Sequence, residues 1–205
     1  NGGWDRPEYI RSGEQMLELV ELEPFQKGWL AATWPDQAGF FGDGKCAMAF
    51  MGNWMYGAQA SNSASGEGLG DSNMGMFNMP MTNGGLGDSG DTLGGINGWL
   101  FSSSASDAAV ELMMHYISLD IQKEDASNGA YIPIVKGADG SLTNPFLQQV
   151  AKNISSSEYH QIFYDQFLGA DIGRVVNDVS TDLAAGIISA EEATQAVQEA
   201  WEFNQ

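Results

Sequence analysis

Apolar residues recur at helical spacing along much of the chain. Such spacing places them on one face of a helix, where they pack against neighbouring elements. Helices are predicted at residues 7–22, 35–41, 54–60, 107–119, 145–154, 158–167, 173–185 and 189–201. Pro7 suits the first turn of the first helix, and Ser106 is predicted to cap the helix at 107–119. The last helix begins with Ser189 and Glu192 in the pattern of a capping box.

Shorter apolar runs bounded by glycine or proline predict strands. These runs lie at residues 46–51, 74–80 and 92–102. Loops rich in glycine, serine and aspartate separate them, at residues 61–73 and 82–91. Strands combined with long helices predict an α/β fold.

The predicted strand at 46–51 ends in Gly52, Asn53 and Trp54. A tryptophan at a strand end offers a rigid flat surface with one N–H donor, which suits stacking on a sugar ring. The alternative interpretation is a core strand followed by a core tryptophan.

Two further tryptophans, Trp34 and Trp99, lie at predicted element ends or beside glycines, with Asn97 close to Trp99 in the sequence. Rings that stack, together with amides that form hydrogen bonds, suit a polyhydroxylated ligand. Trp201 differs, because it lies on the last predicted helix, where we expect it to pack.

The chain of 205 residues carries 27 acidic and 8 basic side chains, which gives a net charge of −19. Such a charge repels phosphate backbones and anionic lipids, so we expect no nucleic-acid partner. No apolar run approaches the roughly 20 residues of a membrane-spanning helix. Cys46 is the sole cysteine, which excludes an internal disulfide and a zinc site with several thiolates.

Motifs for cofactors and metals are weak. Residues 85–90 read G-x-G-x-x-G, but they precede a predicted strand instead of joining a strand to a helix, so no dinucleotide is expected. His115 and His160 have no second histidine or cysteine at ligand spacing, so we expect no metal and no cofactor. Four methionines lie close together in the sequence, and we expect them to fill the core: Met74, Met76, Met79 and Met81. The alternative interpretation is that their thioethers bind Cu(I).

Catalytic motifs are equally weak. The G-x-S-x-G elbow of many hydrolases does not occur, and the carboxylates are scattered without a distinctive context. We therefore expect a protein that is not an enzyme. The alternative hypothesis is a glycan-acting hydrolase with Asp43 or Asp178 in a catalytic role.

Taken in order, these segments resemble the C-terminal half of the family 1 extracellular solute-binding proteins, the sugar-binding components of ABC importers. The matching pieces are the helix at 7–22, the segments 23–25, 41–54 and 79–80, the run 94–104 with the helix after it, and the segments 163–166, 173–178 and 184–193. Their order and spacing cover nearly the whole chain.

The resemblance implies a two-lobed α/β fold, the type II periplasmic-binding-protein-like fold, which closes on a sugar by hinge motion without catalysis. Residues 1–96 and 157–205 would belong to the C-terminal lobe, and residues 97–156 would cross to the N-terminal lobe. Family members are about twice this length, so we expect the chain to be a fragment. Apolar surface left by a missing lobe would then favour self-association.

The resemblance also implies ligand contacts at Trp54, at Gly94, Gly95, Asn97 and Trp99, and at Arg174 and Asn177. From their positions alone we add Asn53 and Trp34. The implied partners are a mono- or oligosaccharide and the membrane permease subunits of an ABC transporter. The implied location is periplasmic or extracellular after export, with or without a lipid anchor. A binding protein for a different solute is a further alternative.

Overall fold

The computed structural model describes residues 3–95, 97–129 and 131–204. The fold is mostly helical, with 52% of the chain in helices, and it includes a small parallel sheet of two strands. This architecture is compatible with the predicted α/β class. Ile96, which belongs to the predicted strand at 92–102, lies outside the described residues.

Helices form at both ends and in the middle of the chain, as the apolar spacing predicts. They are α1 (Pro7–Glu21), α2 (Trp34–Gly42), α3 (Met55–Asn62), α4 (Asp107–Tyr116), α5 (Leu119–Ser127), α6 (Pro145–Ser156), α7 (Tyr164–Phe167), α8 (Ala170–Ala184) and α9 (Ala190–Phe203). The strands are β1 (Thr92–Gly94) and β2 (His160–Ile162). Short 3-10 turns cover Trp29–Ala31, Asp71–Asn73 and Asp139–Ser141.

The described residues divide into two compact units. We call residues 3–37 with 162–204 the terminal unit, and the described residues between 38 and 161 the central unit. The predicted division into lobe segments at 1–96, 97–156 and 157–205 stays a prediction.

The terminal unit is a helical bundle in which α8 packs against α1, α7 and α9, and α1 also packs against α9. Leu183, Ala190 and Ala193 are buried at its centre. The apolar residues packed around them are partly buried: Ile10, Met16, Leu17, Val179 and Ile188. Helices α1 and α9 approach closely at Gly13, where a Cβ atom would lie 2.9 Å from the Cβ of Ala190.

Both ends of the α8–α9 connection are capped. Gly186 has φ +71°, and Ile187 N–H donates to the Asp182 carbonyl at 2.9 Å, which completes a Schellman motif at the end of α8. At the start of α9, Ser189 Oγ accepts from Glu192 N–H and Glu192 Oε2 accepts from Ser189 N–H. The predicted capping box is therefore confirmed.

The central unit holds α3 to α6, the end of α2, and the pairing of β1 with the start of β2. Its apolar core is small and consists of Ala126, Leu142 and Leu147 with a few partly buried neighbours. Helices α2 and α3 nevertheless meet closely at Gly42. A Cβ atom there would lie 2.0 Å from the carbonyl oxygen of Gln59.

The buried amide of Gln59, only 2% exposed, organises the loop that follows α3. Its Nε2 donates to the carbonyls of Tyr56 and Leu69 at 3.2 and 3.3 Å, and its Oε1 accepts from Leu69 N–H at 2.7 Å. The N–H and carbonyl groups of a loop lack the regular hydrogen bonds of a helix, so the Gln59 side chain supplies hydrogen-bond partners for them.

Two predicted strands, at 46–51 and 74–80, are wrong, because both segments are irregular. An apolar run becomes a strand only when a neighbour pairs with it, and β1 and β2 pair with each other. Met48 and Phe50 are 71% and 78% exposed, so the interpretation of 46–51 as a buried core strand is wrong as well. Core filling is likewise wrong for Met76, Met79 and Met81, which are exposed.

The third predicted strand, at 92–102, shortens to β1, and its partner β2 lies where a helix was predicted at 158–167. The sequence there fits a helical period, but the structure pairs it with a distant segment through Thr92 N–H and the Tyr159 carbonyl, 3.0 Å apart. Long-range pairing thus overrides the local pattern. The helix predicted at 107–119 divides into α4 and α5 around Ser118, while the predicted Ser106 cap is confirmed.

Candidate functional site

Trp54 lies in a tight turn immediately before α3. The carbonyls of Gly52 and Asn53 accept from Met55 and Tyr56 N–H at 3.0 and 3.1 Å, which closes the turn. The indole packs against Gly52, where a Cβ atom would lie only 2.3 Å from a ring carbon. Glycine is therefore required for this ring position. The indole stays 45% exposed, so it offers apolar surface to a ligand.

The phenol of Tyr56, two residues along α3, fixes this turn to the rest of the central unit. Its hydroxyl donates to Asp71 Oδ1 at 2.8 Å and accepts from Asn144 Nδ2 at 2.5 Å. Its ring stacks on Phe146, with centroids 5.3 Å apart. The bond to Asp71 raises the pKa of Tyr56, so the phenol stays protonated and keeps its donor role. Sequence reasoning missed this residue, since its partners are distant along the chain.

A second exposed indole, Trp99, follows β1 in the same unit. Its ring meets Tyr116 edge-on at 6.2 Å, and Tyr116 lies 6.5 Å from Tyr131. Trp99 is 67% exposed, and the amide of Asn97 is exposed beside it in the chain. That the ring and the amide act together on a ligand stays a prediction.

A buried amide supports this aromatic row. Gln122, 1% exposed, donates through Nε2 to the Tyr131 hydroxyl at 2.5 Å, and its Oε1 accepts from Ile134 N–H at 3.2 Å. The Tyr131 hydroxyl in turn donates to Asp125 Oδ2 at 2.5 Å. Burial first, and then this bond to Asp125, raise the pKa of Tyr131. Tyr131, at one end of the row, therefore belongs to a network of satisfied polar groups.

Gly94 and Gly95 lie at and just after the end of β1. The imidazole of His160 occupies the space beside Gly94, where a Cβ atom would lie 3.0 Å from the ring carbon Cε1. Gly94 thus makes room for a histidine that sequence reasoning had considered only as a metal ligand.

The remaining predicted site residues belong to the terminal unit. Trp34 is the first residue of α2. Two residues later, the Asp36 carboxylate accepts hydrogen bonds from the N–H and the hydroxyl of Thr33, at 2.8 and 2.7 Å. Arg174 is exposed and its guanidinium pairs with Asp178 at 2.9 Å, one turn along α8. Asn177 is exposed on the same helix. Whether these three residues contact the ligand stays a prediction.

The terminal unit also contains a cavity of about 460 Å³. Its lining consists of Leu168, Gly169, Ala170, Asp171, Ile172, Trp201 and Asn204. Trp201 therefore lines open space, where sequence reasoning expected only packing. None of the predicted site residues lines this cavity.

No group of three or more histidine, cysteine, aspartate or glutamate side chains is placed to hold a metal ion in the part of the chain that the structure describes. Over the same residues, no helix combines the length and apolarity needed to cross a membrane. The Asp43 carboxylate, considered above for catalysis, lies 2.9 Å from the Lys45 ammonium. Lys45, and secondarily the N–H of Ala64, lower the pKa of Asp43.

No model of a known protein family matches the chain, and a search of curated proteins finds no significant match. The resemblance to family 1 solute-binding proteins is therefore a prediction that rests on the residues themselves.

Proposed function

We propose that the protein binds a carbohydrate without catalysis, as the solute-binding component of an ABC importer. The single observation that carries the proposal is the half-exposed indole of Trp54, which lies against the backbone at Gly52. An exposed aromatic ring on a turn is a suitable stacking surface for the apolar face of a sugar. Trp99 offers a second exposed ring in the same unit.

The electrostatics favour a neutral sugar over an anionic one. The chain has a net charge of −19, which repels phosphorylated or carboxylated ligands over long range. Asn53 and Asn97 supply amides, which donate to and accept from hydroxyl groups without a net charge. We therefore propose an uncharged mono- or oligosaccharide as the substrate class.

The carboxylates proposed for hydrolysis argue against catalysis. A general acid in glycoside hydrolysis needs a raised pKa, whereas that of Asp43 is lowered by Lys45. Asp178 pairs with Arg174 at 2.9 Å on an exposed helix face. Turnover of a chromogenic glycoside would overturn the non-enzymatic proposal.

The fold and the transport role rest on the resemblance stated above. We propose the type II solute-binding fold, of which the chain carries the C-terminal lobe and part of the N-terminal lobe. The proposed partners are the sugar and the membrane permease subunits, and the proposed location is the periplasm or the cell exterior.

The test is a titration with neutral sugars, among them glucose, galactose, cellobiose and sucrose, followed by tryptophan fluorescence and calorimetry. We expect saturable binding by at least one sugar. Trp54→Ala should weaken it about 10- to 100-fold, or about 1.4–2.8 kcal/mol, because the stacking surface is lost. Trp99→Ala should weaken it less, since that ring is more exposed.

Trp29→Phe is the matched control for the fluorescence change. Trp29 packs on Phe25 in the terminal unit, with ring centroids 4.6 Å apart, and is not among the predicted site residues. We expect this variant to bind like the original chain. If no sugar binds, or if an amino acid or other solute binds instead, the carbohydrate proposal is wrong.

A further inference from the structure

A chain of hydrogen bonds links β1 to the start of β2 and ends at a histidine. Ser157 Oγ donates to the Tyr159 carbonyl at 2.6 Å, and Thr92 Oγ1 donates to Ser157 Oγ at 3.2 Å. Thr92 Oγ1 also lies 2.8 Å from Nδ1 of His160. All four residues belong to the central unit.

The order of these bonds favours one position for the proton on the imidazole. A hydroxyl group carries one proton, and the bond from Thr92 to Ser157 uses that of Thr92. In this arrangement Thr92 Oγ1 accepts from His160, which places a proton on Nδ1. In a neutral imidazole the other nitrogen, Nε2, is then an acceptor with a lone pair.

Nε2 is available to a ligand. His160 is exposed, and within the described parts of the chain its Nε2 makes no hydrogen bond. A Cβ atom on Gly94 would lie 3.4 Å from Nε2, so this nitrogen lies beside a residue of the predicted site. Because Gly94 has no side chain, there is room beside it for the Cε1–Nε2 edge of the His160 imidazole.

We propose that His160 is a ligand-contacting residue, held by Thr92 and Ser157 in the Nδ1–H tautomer, whose Nε2 accepts a hydrogen bond from a sugar hydroxyl. The contact rests on the proposed function, whereas the tautomer does not. Such an acceptor selects a free hydroxyl at one ligand position, because an O-methyl group there has no proton to donate.

The tautomer is tested first, in the absence of ligand. In the ¹⁵N-labelled chain in alkaline solution, where histidine is neutral, the ¹⁵N shifts of His160 should show a protonated Nδ1 and an unprotonated Nε2. Ser157→Ala leaves Thr92 in place but frees its proton to be donated to Nδ1. We expect this variant to shift His160 towards the Nε2–H form. An original chain already in the Nε2–H form overturns the proposal.

The ligand contact is tested with two replacements of the imidazole, using the sugar that binds most tightly in the panel above. His160→Asn places an amide near the Nδ1 position and removes the acceptor at Nε2. His160→Gln reaches the Nε2 position with an amide oxygen. We expect at least a tenfold loss of affinity for the asparagine variant and less than a threefold loss for the glutamine variant, with melting curves confirming that both fold.

The two proposals fail in different ways. If the original chain binds no sugar, the proposed function is wrong, and the contact falls with it even where the tautomer is correct. If the original chain binds a sugar and His160→Asn binds it equally well, only the role of His160 is overturned. Equal affinity for the sugar and each of its mono-O-methyl derivatives would also overturn it.

Discussion

The terminal and central units use their apolar residues in opposite ways. In the terminal unit, apolar side chains of α1, α8 and α9 meet in one core around Leu183 and Ala190. In the central unit, most large apolar side chains remain exposed, including α4 residues and the segments that contain Met48 and Phe77. The two most buried large polar side chains, Gln59 and Gln122, both belong to the central unit.

The difference teaches how irregular backbone is stabilised. A helix satisfies its own N–H and carbonyl groups, so a helical bundle needs only an apolar core and caps. The loops of the central unit lack that ladder, and the amides of Gln59 and Gln122 supply the missing partners. Exposed apolar surface remains in this unit, including the rings of Trp54 and Trp99, at which we propose that a ligand stacks.

The largest change in the free energy of unfolding is expected from a substitution in the core of the terminal unit. Leu183→Ala should lower the free energy of unfolding by about 2–5 kcal/mol, because it leaves a cavity among packed helices. Leu112→Ala, at a 66% exposed position of α4, should change it by about 0.5 kcal/mol or less. Urea denaturation measures both. Similar losses for the two variants would contradict the contrast between the units.

A smaller change in the free energy of unfolding is expected from a substitution at Gly42, where α2 and α3 approach closely in the central unit. Gly42→Ala should destabilise by about 1–3 kcal/mol, because the new Cβ would lie 2.0 Å from the Gln59 carbonyl oxygen. Gly57→Ala, on α3 with open space around it, should instead stabilise by up to about 1 kcal/mol. Hydrogen exchange of residues 55–70 localises the change. A neutral Gly42→Ala would mean that α2 and α3 are not in close contact.

The smallest expected effect concerns the cap of α9. Ser189→Ala should cost about 1 kcal/mol, since the helix start loses an acceptor for the Glu192 N–H. The N–H of Ser189, and secondarily its hydroxyl, lower the pKa of Glu192.

The cap also predicts a pH dependence confined to the terminal unit. Because the folded-state pKa of Glu192 lies below its ordinary value of 4.5, its contribution is present above that pH and is lost as the pH falls through the folded value. Glu192→Gln should flatten this part of the stability profile, measured by urea denaturation between neutral and acidic pH. An unchanged profile would show that the carboxylate contributes nothing.

The contrast between the units also explains which predictions from sequence are confirmed. The capping box at Ser189 and the amphipathic α1 are encoded by neighbouring residues, so local patterns predict them. Strands at 46–51 and 74–80 were predicted from apolar runs, but a strand depends on a partner that such a run does not specify. For the same reason β2 was not predicted, because its partner β1 lies far away in the sequence.

The candidate site shows the same division. Trp54 and Trp99 stand out by residue type and by their neighbours in the chain, and both are exposed. Tyr56 and His160 form hydrogen bonds with Asn144 and Thr92, which are distant in sequence. No local pattern marks such residues, because their partners are chosen by the tertiary fold.

The contact between Gly52 and Trp54 has a consequence for the thermodynamics of recognition. The ring occupies the volume that any other side chain at position 52 would take, since a Cβ atom would lie 2.3 Å from a ring carbon. A larger residue at position 52 would therefore displace the indole from this place. We expect such a substitution to weaken the proposed ligand binding without any contact between residue 52 and the ligand, because part of the binding free energy would be used to return the ring to its place.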